Sequence, residues 1–440
     1  MALTCHQDDK AINMPNREDK KRIAIVGSGI SGLTCAYLLS KNHHITLFEA
    51  NDYLGGHTAT VDIHREGKSI AVDTGFIVFN DRTYPNFIKM MNQVGIAMQA
   101  TEMSFSVHNE INGLEYNGHN INTLFAQRRN LINPRFYYFI AEILRFNQLA
   151  KKANKNSNEH NFLTLGDFLD THRFSEYFSE NYILAMVAAI WSSSIEKCRD
   201  FPLSFFLRFF NNHGLLDINN RPQWYVIKGG SKQYIPELIK YTEDIRLNTP
   251  VEHVSRNEIG INITTQGKNE AFDEIIFACH SDQALALLSD ASEKEKNILG
   301  AMSYRDNEVI LHTDTTLLPK RKKAYASWNY WVSAKQQEKS TVTYNMNILQ
   351  NLDLSETLCV TLNQSERINE EKIIKTFTYS HPVFNLELID AQTKRQLICG
   401  VNNTHFCGAY WHNGFHEDGV KSAIEVCQRL GIDLDMRGDH

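Results

Sequence analysis

The chain has 440 residues, of which 42% are hydrophobic and 22% charged, with a formal net charge of −6. Its length suggests two or three domains at roughly 150 residues each, and its composition permits a large packed core. The acidic balance argues against broad nucleic-acid binding, which needs an extended basic surface. No apolar run of about 18 residues is present to span a bilayer.

Residues 1–20 are polar and mixed in charge and lack the apolar stretch of a secretory signal, so a disordered leader is expected there. Ile23-Ala24-Ile25-Val26 then forms a short apolar run, as a strand covered on both faces would. Glycines follow, then a helical pattern over Leu33–Leu39 and a second strand, Ile45–Phe48, ending at Glu49: a βαβ opening. Asp73–Asn80 reads as a strand or loop. Residues 86 to about 220 read mainly as helices, with polar breaks at Lys151–Asn161 and Asn211–Asn212. Gly229-Gly230-Ser231 opens a new helix. Val251–Ser255 and Gly260–Thr265 suggest a hairpin, and Glu274–Cys279 an apolar strand. From Glu308 to Leu362 the pattern has period two, with candidate strands Glu308–Thr313, Tyr325–Trp331, Thr341–Ile348 and Leu358–Leu362, predicting an antiparallel sheet. A final helix is expected over Gly419–Leu430. The eight cysteines are scattered without a C-x-x-C pair, the usage of reduced thiols in a cytoplasmic protein.

The sharpest local signal is Gly27-Ser28-Gly29-Ile30-Ser31-Gly32, between the first strand and the first helix. The first glycine permits a tight turn, the second lets backbone approach a pyrophosphate, and the third allows close helix–strand packing. The helix N-terminus offers free N–H groups and partial positive charge to phosphates. Glu49 stands at the end of the second strand, where an acid accepts hydrogen bonds from ribose hydroxyls and repels a 2′-phosphate. A dinucleotide is expected, and NADP is disfavoured. The fingerprint alone does not choose between FAD and NAD.

The next residues, through Gly55-Gly56-His57, do. Arg22–His57 resembles the N-terminal motif of flavin-containing amine oxidases and phytoene-type desaturases, in which the acid (here Glu49, followed by Ala50) precedes a Gly-Gly pair usually followed by Arg. His57 stands in place of that Arg. Asp73-Thr74-Gly75-Phe76 resembles the superfamily's second flavin-contacting loop, and Pro250–Val254 the strand whose valine backbone, Val251, pairs with adenine. Cys407-Gly408-Ala409 with Asp418-Gly419-Val420 resembles the C-terminal flavin motif, where a helix N-terminus faces the pyrimidine end of the flavin. Tyr325–Trp331, Tyr344–Asn347, Ser380-His381-Pro382 and Phe406–Ala423 resemble a bacterial amine-oxidase-like subgroup whose genes often lie beside those of cyclopropane-fatty-acid synthases.

The resemblance implies an α/β fold: a Rossmann-type FAD-binding domain with an inserted α+β substrate domain. The FAD domain would comprise 21–85, 222–295 and 396–440. The substrate domain would comprise helices at 86–221 and an antiparallel sheet at 296–395. It implies FAD held by Gly27–Gly32, Glu49, Ala50, Gly55, Gly56, His57, Thr74, Gly75, Phe76, Val251, Gly408, Asp418, Gly419 and Val420.

For chemistry, His57 and His280 are candidate proton acceptors, because imidazole titrates near neutral pH. Trp328, Tyr330, Tyr410 and Trp411 are candidates for the wall of a substrate cavity, or else core aromatics. His412 and His416 are four apart, close to His405, Cys407 and Glu417, yet Gly414 interrupts any helical spacing between them, and no metal is expected. The Arg- and aromatic-rich stretch Asn120–Lys155 and the Phe-rich Phe201–Leu216 suit either a peripheral membrane contact or a lid packed into the core. Lys320–Lys323 reads as a solvated turn. The expected function is hydride transfer from a substrate C–H to flavin, with desaturation of an apolar, fatty-acyl or lipid substrate as the first reading. Amine oxidation and double-bond isomerisation are the alternatives, and a non-enzymatic flavin-binding partner is a fourth. Oxygen or a quinone would reoxidise the flavin. The expected location is the cytoplasm or the inner face of its membrane.

Overall fold

The computed structural model describes residues 20–437 apart from 156–163, 192–194, 218, 220, 258–259 and 334–340. The expected leader, save Lys20, lies outside the described residues, as does most of the polar break at 151–161.

Five strands form an all-parallel sheet in the order Asp244–Arg246, His44–Phe48, Arg22–Val26, Glu274–Phe277, Thr404–Phe406. Their apolar runs are those of strands covered on both faces; Ile23, Ile25, Leu47, Ile275 and Phe277 are all fully buried. On one face lies helix Ile30–Leu39, whose ten residues are all buried because helix His416–Arg429 packs over it. The register sets Val26 beside both Phe48 and Phe277, and Phe277 beside Phe406. Four strands therefore end at one level, and the segments that follow them share one edge.

A seven-stranded sheet forms the second layer, in the order Ile373–Pro382, Tyr304–His312, Cys359–Leu362, Val342–Asn345, Trp328–Val332, Phe105–Asn109, Leu114–Asn117. The expected strands between 308 and 362 all occur, and the pairs among them are antiparallel. Chain order is not sheet order, however: Tyr304–His312 pairs with Cys359–Leu362 and Ile373–Pro382. The Thr341–Ile348 strand stops at Asn345, whose side chain caps a short helix, Met346–Leu349.

The expectation of a mainly helical 86–221 is corrected over 98–117, which holds the strands Met98–Thr101, Phe105–Asn109 and Leu114–Asn117. Phe105–Asn109 pairs in parallel with Trp328–Val332. Polar Ser106, His108 and Asn109 hide this strand in the sequence, because their partners come from other elements: Ser106 Oγ donates to Asn329 Oδ1 at 2.9 Å, Asn109 Nδ2 to Asn181 Oδ1 at 2.7 Å, and His108 lies 3.7 Å from Glu115. The hairpin Thr60–Arg65 with Lys68–Asp73 also escapes the sequence pattern. Its two-residue turn places Glu66 and Gly67 at φ 51° and 73°, the mirror-type turn that matches strand twist. Phe205, Phe206, Phe209 and Phe210, on helix Leu203–Asn212, are core residues at 0–4% exposure, which corrects the membrane-contact alternative for that stretch. All seven described cysteines are unbridged.

Candidate functional site

The four coterminal strand ends deliver the site. Gly27 follows Val26, Glu49 follows Phe48, Ala278-Cys279-His280 follows Phe277, and Cys407-Gly408 follows Phe406. The carboxyl ends of parallel strands are where open α/β sheets bind ligands, since loops there diverge and the next helix presents its N-terminus.

Within Gly27–Gly32 the glycines do different work. Gly27 adopts φ +102°, outside the range L side chains favour, and a Cβ there would lie 3.1 Å from Ala278 backbone. A Cβ on Gly32 would lie 1.9 Å from the Gly27 carbonyl oxygen, so Gly32 serves helix–strand packing. A Cβ on Gly29 would meet nothing within 4 Å. Open space at that glycine, at the start of a helix, is the room a pyrophosphate would need. The Gly55-Gly56 turn closes over it: Gly55 N–H donates to the Ser28 carbonyl at 3.1 Å, and a Cβ on Gly56 would reach Gly29 Cα at 3.3 Å.

Glu49 is buried, and both carboxylate oxygens already accept from the protein. Oε2 takes Ser28 N–H at 3.0 Å and Ser28 Oγ–H at 2.6 Å; Oε1 takes Asn51 N–H at 2.9 Å and Asn51 Nδ2–H at 2.8 Å. A ribose hydroxyl bonding here must displace the Ser28 hydroxyl or share its oxygen. The turn before Val251 runs alongside, with Thr249 N–H on the Glu49 carbonyl and Asn248 N–H on the Asn51 carbonyl, both at 2.9 Å. Ala50 is exposed beside Glu49.

At the other end of the edge the chain gathers four imidazoles. His57 stacks on His381 (ring centroids 5.4 Å apart), lies 5.0 Å from the Tyr379 ring and 6.4 Å from His280. His280 stacks on Tyr304 at 4.3 Å, and Tyr304 Oη accepts the Ser281 N–H at 3.0 Å. His416 lies flat on Phe76 at 3.6 Å, with Nε2 2.8 Å from Tyr234 Oη and 3.2 Å from Thr58 Oγ1. Burial holds all four below the ordinary imidazole pKa of 6.5, His381 at about 4 and His416 at about 3. After burial, the groups that shift His57 are His381, His280 and His416, each resisting a second positive charge. His57 Nε2 is buried with no hydrogen-bond partner among the described residues. Yet all four residues keep part of their surface uncovered, as do Gly27, Gly29, Gly56 and Gly75. These side chains are desolvated without being sealed from solvent.

Other predicted residues have definite places. Gly75 is held against His57, whose carbonyl a Cβ would meet at 2.2 Å; Phe76 N–H donates to the same carbonyl at 2.7 Å, and Thr74 Oγ1 lies 3.2 Å from Tyr379 Oη. Gly419 abuts the first helix, its carbonyl accepting from Ser31 Oγ at 3.1 Å. Asp418 is buried and its carboxylate accepts Phe415 N–H at 2.9 Å, which caps its own helix. Val251 and Val420 turn their side chains into the core, leaving only backbone to meet a ligand. Gly408 lies under the Tyr410 ring. Tyr410 adjoins Tyr304 at 6.5 Å and has an unpartnered hydroxyl, whereas Trp411 sits under Arg395 at 5.4 Å. Trp328 packs edge-on to Tyr344 at 5.2 Å, and Tyr330 is buried in the seven-stranded sheet. His412 and His416 diverge, His412 Nε2 lying 3.4 Å from Glu425.

Sequence reasoning did not place His381, Tyr379, Tyr304 or Tyr234 at this site. The Ser380-His381-Pro382 motif was the available signal for His381, and His416 was weighed only as a metal ligand.

The model of the family described as flavin containing amine oxidoreductase matches residues 30–362. The chain belongs to that family. An L-amino-acid oxidase from Siganus canaliculatus is 21% identical to it over 324 residues; the match takes in 69% of the chain and 57% of the relative, so the chain spans little over half of that relative's length. Among solved structures, a CLA-producing fatty acid isomerase from P. acnes is similar in fold (TM-score 0.66, 17% identity, 94% of this chain and 100% of that one). So is cyclohexylamine oxidase from Brevibacterium oxydans IH-35A (TM-score 0.66, 14% identity, 94% and 100%). The fold is the Rossmann-type FAD domain with a substrate domain, and the family's dinucleotide is FAD. The site fits that group: Gly29 leaves open space at the cradle, His57 Nε2 is buried without a hydrogen-bond partner among the described residues, and both residues keep part of their surface uncovered.

Proposed function

We propose that the protein is an FAD-dependent oxidoreductase acting on an apolar substrate, a fatty-acyl chain or other lipid, and that it introduces a double bond. FAD, when bound, accepts a hydride from a substrate C–H. Gly27–Gly32 with Gly55-Gly56 would hold the pyrophosphate, Glu49 the ribose, and Gly75, Phe76, Gly408 and the N-terminus of helix His416–Arg429 the flavin end. Oxygen or a quinone would take the electrons on.

The carrying observation is the uncharged lining of the imidazole cluster. His57, His280, His381 and His416 all stay neutral at neutral pH, with Tyr379, Tyr304 and Tyr410 beside them. An amino-acid substrate needs a cation for its carboxylate, and an ammonium favours an anion or an open aromatic face. Among the described residues the recess offers no cation for a carboxylate, and of the two ammonium partners only aromatic faces. It suits an alkyl chain, whose burial costs no charge. His57 and His280 are the proposed proton acceptors; held below their ordinary pKa, they stay unprotonated across the neutral range and keep a lone pair available. The Trp328 and Tyr330 side chains would extend the wall into the substrate domain.

Amine oxidation is the second reading, supported by the L-amino-acid oxidase and cyclohexylamine oxidase likenesses. Isomerisation is the third, supported by the fatty acid isomerase likeness. Anaerobic bleaching of the flavin separates the first two: it is expected with acyl lipids and absent across an amine panel. Mass spectrometry of lipids from cells with and without the gene then discriminates further. A loss of two daltons supports desaturation, and unchanged mass with moved double bonds supports isomerisation. Bleaching by amines alone would overturn the proposal.

A further inference from the structure

Fourteen large apolar side chains stand exposed among the described residues, and seven of them fall between Ile111 and Leu144. Ile132 is 88% exposed, Ile121 78%, Ile111 66% and Tyr138 58%. The fold gathers them. Helix Ile121–Leu124 leads to the tight turn Arg128–Ile132 and then to helix Pro134–Lys155. The hairpin tip carrying Ile111 is tied to that turn: Gln127 Nε2 and Arg129 Nη2 both donate to the Gly113 carbonyl, at 2.7 and 3.1 Å. Tyr137 Oη donates to the Leu131 carbonyl at 2.9 Å. Helix Pro134–Lys155 buries Phe136, Phe139 and Phe146 on its other side, so its aromatics divide between core and surface.

The same face is basic. The turn Lys322–Ala324 packs against helix Ile121–Leu124 and strand Leu114–Asn117, which brings Lys320–Lys323 alongside. These four cations are exposed, as are Arg128, Arg129 and Arg135. The carboxylates within 111–145 and 315–326 are Glu115 and Glu142, and both are buried. Glu115 accepts from the Lys320 and Arg321 backbone N–H groups and pairs with the Arg321 guanidinium at 3.1 Å; Glu142 accepts from Ser175 N–H and Oγ–H, with Arg145 at 3.9 Å. Apart from Arg321, which pairs with Glu115, six cations thus accompany these exposed apolar side chains in a chain whose net charge is −6. Exposed aliphatic and aromatic side chains with interspersed lysine and arginine match an anionic lipid interface, where the apolar groups enter the headgroup region and the cations meet phosphates. A nucleic acid would match the charge and leave Ile121 and Ile132 in water.

We propose that this face docks the protein on an anionic phospholipid bilayer. Ile121, Ile132 and Tyr138 enter the interface, and Lys320, Lys322 and Lys323 with Arg128 and Arg129 bind its phosphates. Docking is independent of which substrate the flavin site takes. The test uses the full-length, flavin-loaded protein floated with vesicles of phosphatidylcholine alone or mixed with phosphatidylglycerol. Binding is expected to the mixed vesicles at low salt, with release at high salt as screening shortens. Replacing Lys320, Lys322 and Lys323 together by Gln should weaken partitioning roughly 100-fold, at about fivefold per charge. The Ile121→Ser/Ile132→Ser pair should weaken it about tenfold, by removing the apolar contribution. Both variants should keep the flavin spectrum and thermal midpoint, since these side chains are exposed. Absence of binding to phosphatidylglycerol vesicles at low salt would overturn the proposal. So would binding unaffected by either variant, or retention only on nucleic acid or an acidic protein.

Discussion

Gly29 and Gly32 are separated by one turn of chain, and the structure divides their roles. A Cβ on Gly29 meets no protein atom and its φ is −63°, so Gly29→Ala should fold with stability within about 0.5 kcal/mol of the parent. The added methyl occupies space a pyrophosphate would need, and flavin content after purification should fall sharply. Full flavin loading in this variant would move the cradle elsewhere. Gly32→Ala should instead lose soluble protein, because its Cβ collides with the Gly27 carbonyl at 1.9 Å. His57 is the other decisive residue, standing where the family motif usually carries Arg. If it accepts the substrate proton, His57→Gln should retain flavin while slowing substrate-driven bleaching by about 10²-fold or more and flattening its pH profile. An unchanged rate and profile would leave it a structural imidazole.

Elements meet at buried polar knots. Asp73 ends strand Lys68–Asp73, and its Oδ1 accepts from Thr60 Oγ1 at 2.6 Å, Ser231 N–H at 2.8 Å and Ser231 Oγ at 2.9 Å; Gln350 Nε2 reaches Oδ2 at 3.3 Å. One carboxylate joins the hairpin, the turn opening the Ser231–Tyr234 helix and the short helix after Val342–Asn345. Burial raises its pKa to about 6 despite those donors. Asp73→Ala strands several buried donors, and each unsatisfied group costs about 1–3 kcal/mol. Chemical denaturation should show a loss of that order or more, and loop Thr74–Phe76, which continues from it beside His57, should lose order and flavin affinity together. Much of the element pattern was legible: the βαβ opening, the Val251 hairpin and most strands after 304 follow from apolar periodicity. The strands at 98–117 and the 60–73 hairpin were not. Several of their polar residues are buried against distant partners, such as Asn329 for Ser106 and Ser231 for Asp73.

Across the whole molecule, buried titratable groups set the response to acid. Burial holds His213, His312 and His381 at about 4 and His416 at about 3, against 6.5 in the unfolded chain. Between those values the unfolded state binds more protons, so stability falls as pH drops from 6.5 towards 4. Asp73, raised to about 6, and Glu417, raised to about 7, act in the opposite sense, since folding favours their protonated forms. Asp418 is raised as well, but His57 and His280 are lowered alongside the four histidines, which together outweigh the three carboxyls, so the thermal midpoint should decline on acidification through this window. A midpoint flat or rising from pH 6.5 to 4 would show that these imidazoles are charged or solvated in the folded protein.

The sequence by itself determined the strand–turn–helix cradle, the acid after the second strand and the flavin family, because a phosphate-binding turn is built from contiguous residues whose glycines report backbone geometry directly. Only the tertiary structure decided that His57, His280, His381 and His416 meet. They come from four segments spanning some 360 positions, and no local period links them. It also decided the fate of the aromatics. Phe205 and Tyr138 sit in similar aromatic helical stretches, and one is buried while the other faces water, because the packing of neighbouring elements selects the covered face of a helix.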